Sequence, residues 1–307
     1  MTESSRRTRI LSTSEGLNRE AFSAMDWALF VSISLIWGSS FLLMAIGLDA
    51  FAPGLVTLLR VGLGAAVLWL VPQARSGRID RQDWPRVVVL SLVWIAIPLT
   101  LFPIAQQYIN SAVAGMLNGG TPIFTAMIAV ALLGRMPRLV TIAGLAIGLA
   151  GVVFISAPSI NEGSSEALGA ILVLIATFCY GIAINIAAPI QQQYGSIPLM
   201  ARVLALGTLW VAPFGVFALP ESSFAWDSLI ASAVVGVLGT GAAFVIFANL
   251  VGRVGGTRAS FITYVIPVVA LVLGVVFRDD IVAPIAVVGV VLVIIGALLA
   301  SRREVKS

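Results

Sequence analysis

Ser111-Ala-Val-Ala-Gly-Met-Leu-Asn-Gly-Gly-Thr-Pro122 opens an apolar run that continues to Leu133, yet it carries Asn118, Gly119, Gly120, Thr121 and Pro122 in its middle. Toward the C-terminus, Gly256-Thr-Arg-Ala-Ser-Phe-Ile-Thr-Tyr-Val-Ile-Pro267 opens a second run, to Phe277, with a proline at the same depth. A proline inside a helix leaves the carbonyl four residues earlier without its donor. Pro122 therefore frees the carbonyl of Asn118, and Pro267 that of Thr263. In hydrocarbon such a group needs another partner.

The chain around these runs is built for hydrocarbon. Of its 307 residues 59% are hydrophobic and 10% charged, and its mean hydropathy is +1.05. That leaves too little polar surface to cover a water-soluble globule of this size. The net charge of +4 comes without a dense basic cluster interleaved with aromatics, so nucleic acid is not an expected partner. One cysteine, Cys179, rules out an internal disulfide. The absence of histidine removes Ser-His-Asp triads, His-Glu-x-x-His zinc sites and histidine proton relays. No cofactor or metal site is expected.

A helix needs about 20 apolar residues to cross a bilayer. Hydrophilic and Gly/Pro breaks cut the chain into ten such segments: 27–48, 53–72, 84–106, 111–133, 139–156, 167–190, 199–217, 227–250, 256–277 and 282–300. The first is too long for a signal-peptide core, and residues 1–26 read as a mobile tail leading into it. With the N-terminus inside, 15 of the 18 basic residues fall in cytoplasmic gaps, and only Arg278 lies outside. The positive-inside rule thus puts both termini, including the tail 301–307, in the cytoplasm.

The two halves repeat. Pro122 matches Pro267 at a spacing of 145, which also places Gly144 on Gly289 and Gly151 on Gly296. Trp37-Gly38 pairs with Tyr180-Gly181 and Gln106 with Asn249 at 143, and Arg60 with Arg202 at 142. Five helices per half is an odd number, so the halves sit upside down relative to each other. The expectation is an all-α integral membrane protein of ten transmembrane helices in two inverted five-helix repeats, 27–156 and 167–300, joined by an external linker 157–166.

Trp37-Gly-Ser-Ser-Phe41, Leu59-Arg60, the Ala/Gly-rich run into Thr121-Pro122 and the Ala/Gly spacings of residues 141–154 occur in this order in the first half. Val254-Gly-Gly-Thr-Arg-Ala-Ser-Phe-Ile-Thr-Tyr-Val-Ile-Pro267 and the closing stretch 287–299 follow in the second. Over residues 27–300 the chain resembles the drug/metabolite transporter superfamily, EamA type. The resemblance implies a ten-helix carrier of small metabolites or drugs, with a cavity lined by helices 1, 3, 4, 6, 8 and 9. One departure is local. The family usually places Gly-Glu after the fourth and ninth helices, where this chain has Gly134-Arg135 and Arg278-Asp279-Asp280.

Candidate binding residues follow from depth and polarity. Asn118 and Thr121, with Thr263 and Tyr264, flank the helix-breaking Pro122 and Pro267 near the midplane, where inverted-repeat transporters hold substrate. The bland alternative is a pair of kinks packed by small residues. Trp37 and Tyr180 are repeat-related amphipathic rings at mid-depth. Asn185 continues a polar line from Thr177 and Gly181, which faces protein or water and closes either a site or an interhelical hydrogen bond. Gln106, Gln107 and Asn249 occupy opposite mouths and read as gates or as interfacial amides. Arg60 and Arg202 are the ionisable residues well inside spans, at roughly 10 and 5 Å from the nearer membrane face, close enough to snorkel to lipid phosphate or a carbonyl cluster, with a substrate carboxylate as the alternative partner. Gly144-Leu-Ala-Ile-Gly148 is a helix-packing motif whose partner is either another helix of the chain or a second protomer, which leaves a homodimer open.

Together with the resemblance, these features point to a secondary transporter, not an enzyme. It would move amino acids, related neutral or zwitterionic compounds or drugs across the plasma membrane by alternating access. No Asp or Glu falls in mid-span, so uniport or exchange is expected, or an ion held by the carbonyls at the two prolines. The rival reading is a membrane enzyme acting on a lipid or prenyl diphosphate, with Asp279-Asp280 as its acidic pair. A scaffold or channel is a third.

Overall fold

The computed structural model of the chain describes residues 23–133, 139–254 and 262–300. Basic residues of the cytoplasmic gaps at 135, 138, 258, 302, 303 and 306, both tails and Gly256 and Ser260 lie outside that range. Ten long helical elements alternate in direction among the described residues: α1 Ala24–Leu48, α2 Pro53–Leu70, α3 Arg81–Ala105, α4 Ser111–Leu132, α5 Leu139–Glu162, α6 Ser164–Tyr194, α7 Ser196–Phe217, α8 Trp226–Val251, α9 Ile262–Arg278 and α10 Pro284–Ala300.

Local chemistry sets the ends. Ser23 and Asp26 form a capping box at the start of α1, the Ser23 hydroxyl accepting from the Asp26 amide at 3.3 Å and Asp26 accepting from the Ser23 amide at 2.9 Å. Asn110 caps α4 by accepting from the Val113 amide at 2.9 Å. The second span stops at Leu70 rather than at Pro72, because Val71 precedes a proline and is extended (ψ 123°); Pro72 then opens a separate turn, Pro72–Arg75. The expected linker 157–166 is mostly helical. α5 runs to Glu162 and α6 starts at Ser164, so only Gly163 interrupts them. Hydropathy marks where a helix leaves the hydrocarbon, and the backbone ladder continues past that point.

The helix pairings carry the internal symmetry. α5 packs on α10, α2 on α7 and α4 on α9, each helix on its own counterpart. The contact of α1 with α9 is matched by that of α6 with α4, α1 with α8 by α6 with α3, and α2 with α8 by α7 with α3. Exchanging the halves leaves this set unchanged, as a two-fold axis in the membrane plane requires. Single residues obey it too. A Cβ added to Gly38 would collide with Val269, 2.5 Å away, and one added to Gly181 would meet Phe124 and Thr125 at 3.0 Å. The spacings of 143 and 145 convert the first contact into the second.

The α5–α10 pair is the most extensive of these contacts. An added Cβ at Gly151 would stand 2.6 Å from the Gly289 carbonyl oxygen, and one at Gly289 would stand 2.7 Å from that of Gly151. Gly296 faces Gly144 and Gly148 in the same way, the Gly144 oxygen being 2.6 Å from an added Cβ. The small-residue motif on α5 therefore has its partner inside the chain, on α10. Side chains turned outward are apolar, Leu209, Phe217, Phe277 and Ile281 among them. Trp27, Trp69 and Trp84 are exposed at one end of the bundle and Trp226 at the other, the placement of interfacial aromatic belts.

Candidate functional site

Between the repeats lies a cavity of about 480 Å3. Its wall comes from α1 (Trp37, Ser40, Phe41), α3 (Trp94, Ile95, Leu99, Phe102), α4 (Asn118, Thr121), α6 (Tyr180, Ile184, Ala188, Gln191, Gln192), α8 (Gly239, Thr240, Phe244, Phe247, Val251) and α9 (Ile262, Thr263, Ile266). These are the six helices that the family resemblance implied. Arg60 of α2 and Ser196 of α7 complete the wall.

Two aromatic chains divide the space. Trp37 packs on Phe247 (centroids 5.3 Å apart) and Phe244 (6.1 Å), and Phe244 on Trp94 (6.2 Å). Phe102 bridges Phe41 (5.5 Å) and Tyr180 (5.9 Å). The Trp37 indole N–H donates to the Gly239 carbonyl at 3.1 Å, so the cavity meets the face of the ring rather than its donor.

The two proline breaks differ. In α4 the helix stops at Asn118, passes through a Gly119-Gly120 turn and restarts at Thr121. In α9, Pro267 sits within a continuous helix. The paired glycines account for the contrast, since without side chains they let the backbone turn and let α9 approach: a Cβ at Gly119 would come within 2.5 Å of the Pro267 ring. The Asn118 carbonyl that Pro122 releases is not left open to the cavity, because the Thr121 hydroxyl donates to it at 2.7 Å. Asn118 itself belongs to the cavity wall, and its side-chain oxygen, Oδ1, is buried without a partner.

Arg60 departs from the expectation that it snorkels. It is turned inward, 8% exposed, and its guanidinium lines the cavity. Nε donates to the Thr240 hydroxyl at 3.3 Å and one terminal nitrogen to the Met44 thioether at 3.0 Å. Thr240 belongs to a π-helical stretch, Val237–Ala242, and its own hydroxyl donates back to the Val235 carbonyl five residues earlier. A second π-helical stretch, Ser91–Ala96, occupies the corresponding part of α3 and carries Trp94 and Ile95 into the wall. Such π-turns recur at functional sites because they re-aim side chains.

Other sequence candidates lie elsewhere. The Asn185 amide donates to the Thr125 carbonyl of α4 at 3.0 Å and to the Gly181 carbonyl at 2.8 Å, so it ties α6 to α4 and is not on the wall. Arg202 satisfies the carbonyl-cluster alternative, donating to Pro198 O (2.8 Å), Ala74 O (3.2 Å) and Gly77 O (2.7 Å). Asn249 donates to Val245 O of its own helix and is exposed away from the cavity, and Tyr264 is also off the wall. Trp94, Phe244, Phe247 and Thr240 carry no distinguishing signal in the sequence. Aromatic residues in apolar spans are too common to stand out, and a π-turn shifts the face that a 3.6-residue period would assign.

The cavity's two ends differ. Toward the α6–α7 end it reaches Gln191, Ser196 and the exposed Gln192. Toward the α1–α2 end it stops at the buried Phe41, Phe102 and Ile266. Beyond that barrier lies a second, polar hollow of about 280 Å3, lined by Ala45, Gln106, Gln107, residues 108–111, Arg278 and Asp280. Gln106 donates to the Phe41 carbonyl at 3.1 Å and so stands in the partition between the two spaces, its Oε1 buried without a partner. Arg278 pairs with Asp49 through both terminal nitrogens at 2.7 and 2.9 Å, tying α9 to α1 across this end. Asp280 accepts from the Ser111 hydroxyl at 2.7 Å and the Ala112 amide at 2.8 Å, tying the segment after α9 to the start of α4.

Comparison with known proteins places this arrangement among carriers. The model of the EamA-like transporter family matches residues 26–157 and again 167–302. The chain is 26% identical to the uncharacterised transporter YoaV of Bacillus subtilis, covering 80% of this chain and 85% of that one. It is 24% identical to a probable terminal-alkyne amino-acid exporter of Streptantibioticus cattleyicolor, over 90% of this chain and 93% of that one. With the uncharacterised inner membrane transporter YedA of Escherichia coli it shares 27% identity over 80% of each. A crystal structure at 21% identity superposes with a TM-score of 0.61 over 91% of this chain and 98% of its own, a likeness of fold.

Proposed function

The chain belongs to the EamA-like transporter family, and from that premise we propose that it carries small neutral or zwitterionic organic solutes across a bacterial plasma membrane by alternating access. The observation that supports this most is the cavity of about 480 Å3 between the repeats, which reaches exposed residues at one end and stops at buried aromatic rings at the other. In this reading the cavity-lining helices of the halves 27–156 and 167–300 rock about the cavity while α5 and α10 stay paired, so that each end opens in turn. The arginine-rich gaps put the open end, with the α6–α7 and α8–α9 connections, in the cytoplasm. The structure is then inward-open, and Gln106 with the Asp49–Arg278 pair closes the outer mouth. Amino acids are first candidates for the cargo, in line with the name of the Streptantibioticus relative.

Among the described residues no carboxylate lines the cavity, which favours uniport or exchange over coupling through a titrating acid. At the Asn118 carbonyl the Thr121 hydroxyl takes one lone pair, so an ion there would share that oxygen with it. The enzyme reading is not favoured, because Asp280, half of its acidic pair, caps α4. Reconstitution tests the proposal. Vesicles loaded with one amino acid should accumulate its labelled form by counterflow, saturably, and Asn118→Ala or Thr263→Ala should lower that flux at least tenfold. Unchanged flux in both variants removes the site, and the absence of saturable flux for any solute removes the carrier.

A further inference from the structure

We propose that Arg60 is the anchor for a carboxylate on the transported molecule, which narrows the class of cargo proposed above to molecules that carry a carboxylate and an apolar remainder. The inference rests on the reading of the cavity as the transport site. A guanidinium carries five N–H donors. Arg60 is 8% exposed, yet its partners are one hydroxyl, Thr240, and one thioether, Met44, a weak acceptor. Among the described residues no carboxylate forms an ion pair with it. A buried, always-charged group without a counter-charge is costly inside a membrane protein, and here it faces a cavity large enough for a ligand. Its planar fork suits a carboxylate better than it suits a hydroxyl or an amide.

Two further features agree. Thr240 is held from behind by the π-turn and takes Nε, and Met44 takes one terminal nitrogen, which leaves the other terminal nitrogen for a ligand. Asn118 lines the same wall, and its Oδ1 is a buried acceptor without a donor. The remaining wall is aromatic. Trp37, Trp94, Phe244 and Phe247 pack edge-to-face or tilted along it, a surface for an alkyl or aryl group. The repeat mate Arg202 spends its donors on three carbonyls and is silent here, so only one of the two symmetry-related arginines can serve.

Matched acid and amide pairs test the anchor: leucine against leucinamide and phenylalanine against phenylalaninamide, with 3-phenylpropionate as an acid lacking the ammonium. Thermal stabilisation of the purified protein and proteoliposome uptake are both read. At least one of the acids should bind and move at least tenfold better than its amide, and Arg60→Gln should erase that difference. Arg60→Lys should keep part of it. Arg60→Met, which removes the charge at similar length, controls for folding; its melting temperature without ligand should equal or exceed that of the parent. Amides that move as well as acids, an acid preference that survives Arg60→Gln, or no response to any acid overturns the anchor. Saturable transport of the amides would in that event leave the carrier itself standing.

Discussion

Arg60 and Arg202 occupy equivalent places in the repeat and carry the same side chain, yet one enters the cavity and the other binds carbonyls at a helix end. What separates them is the neighbour across the interface. Gly64 lets α8 come close enough for Thr240 to meet Arg60, as a Cβ there would lie 2.6 Å from the Thr240 methyl carbon, whereas Ala74 and Gly77 present carbonyls to Arg202. A sequence does not list such cross-chain neighbours. Arg202→Ala should lower stability by about 1–3 kcal/mol through the lost charge-assisted hydrogen bonds, seen as a lower melting temperature in detergent with the acid preference intact. A variant with normal stability would mean that the carbonyl cluster is solvated and holds nothing.

Among helices, hydropathy located the spans, and small residues located the contacts. The expected boundaries miss by a few residues where helices outrun the hydrocarbon, as at Glu162 and Ser164, and where Val71 yields to Pro72. The π-turns in α3 and α8 have no sequence signature and escaped notice. The glycine contacts give a sharp contrast. Gly289→Val must force α10 off the α5 backbone and should cost about 1–3 kcal/mol or abolish folded expression, while Gly62→Ala, with only a Thr208 methyl 3.7 Å away, should be tolerated. Fluorescence-detected gel filtration of the two variants separates these outcomes. At the outer mouth, Asp49→Asn should loosen the α1–α9 tie. On a Cys179→Ser background, a cysteine placed at Ala45 in the outer hollow should then react faster with a membrane-impermeant maleimide. An unchanged rate would show that the Asp49–Arg278 pair does not hold that mouth closed.

For the whole molecule, two-fold inversion was legible because odd helix number, arginine placement and landmark spacings are global quantities that survive local errors. The landmarks Gly38 and Gly181 proved to be equivalent contacts, and the family model matches the two halves separately. The cavity was less legible, since its wall draws single residues from eight helices and no linear spacing encodes that convergence. Inversion has a direct consequence for labelling. A cysteine at Asp280 in the same Cys179→Ser background should react from outside intact cells, and a reporter after Ser307 should read as cytoplasmic; reversed results would turn the open end of the cavity outward.

The backbone contact of α5 with α10 bears on how motion in this protein can be measured. Neither helix contributes to the cavity wall, and carbonyl oxygens at Gly151, Gly289 and Gly144 sit where any methyl group would be, so the two rods have no clearance to slide past each other. They form a stationary reference frame. Spin labels on the lipid faces of α5 and α10 should keep one narrow distance distribution with and without cargo, while a label on α10 paired with one on α1 or α9 should resolve two populations. Each state of the carrier can thus be read as a displacement from this fixed pair.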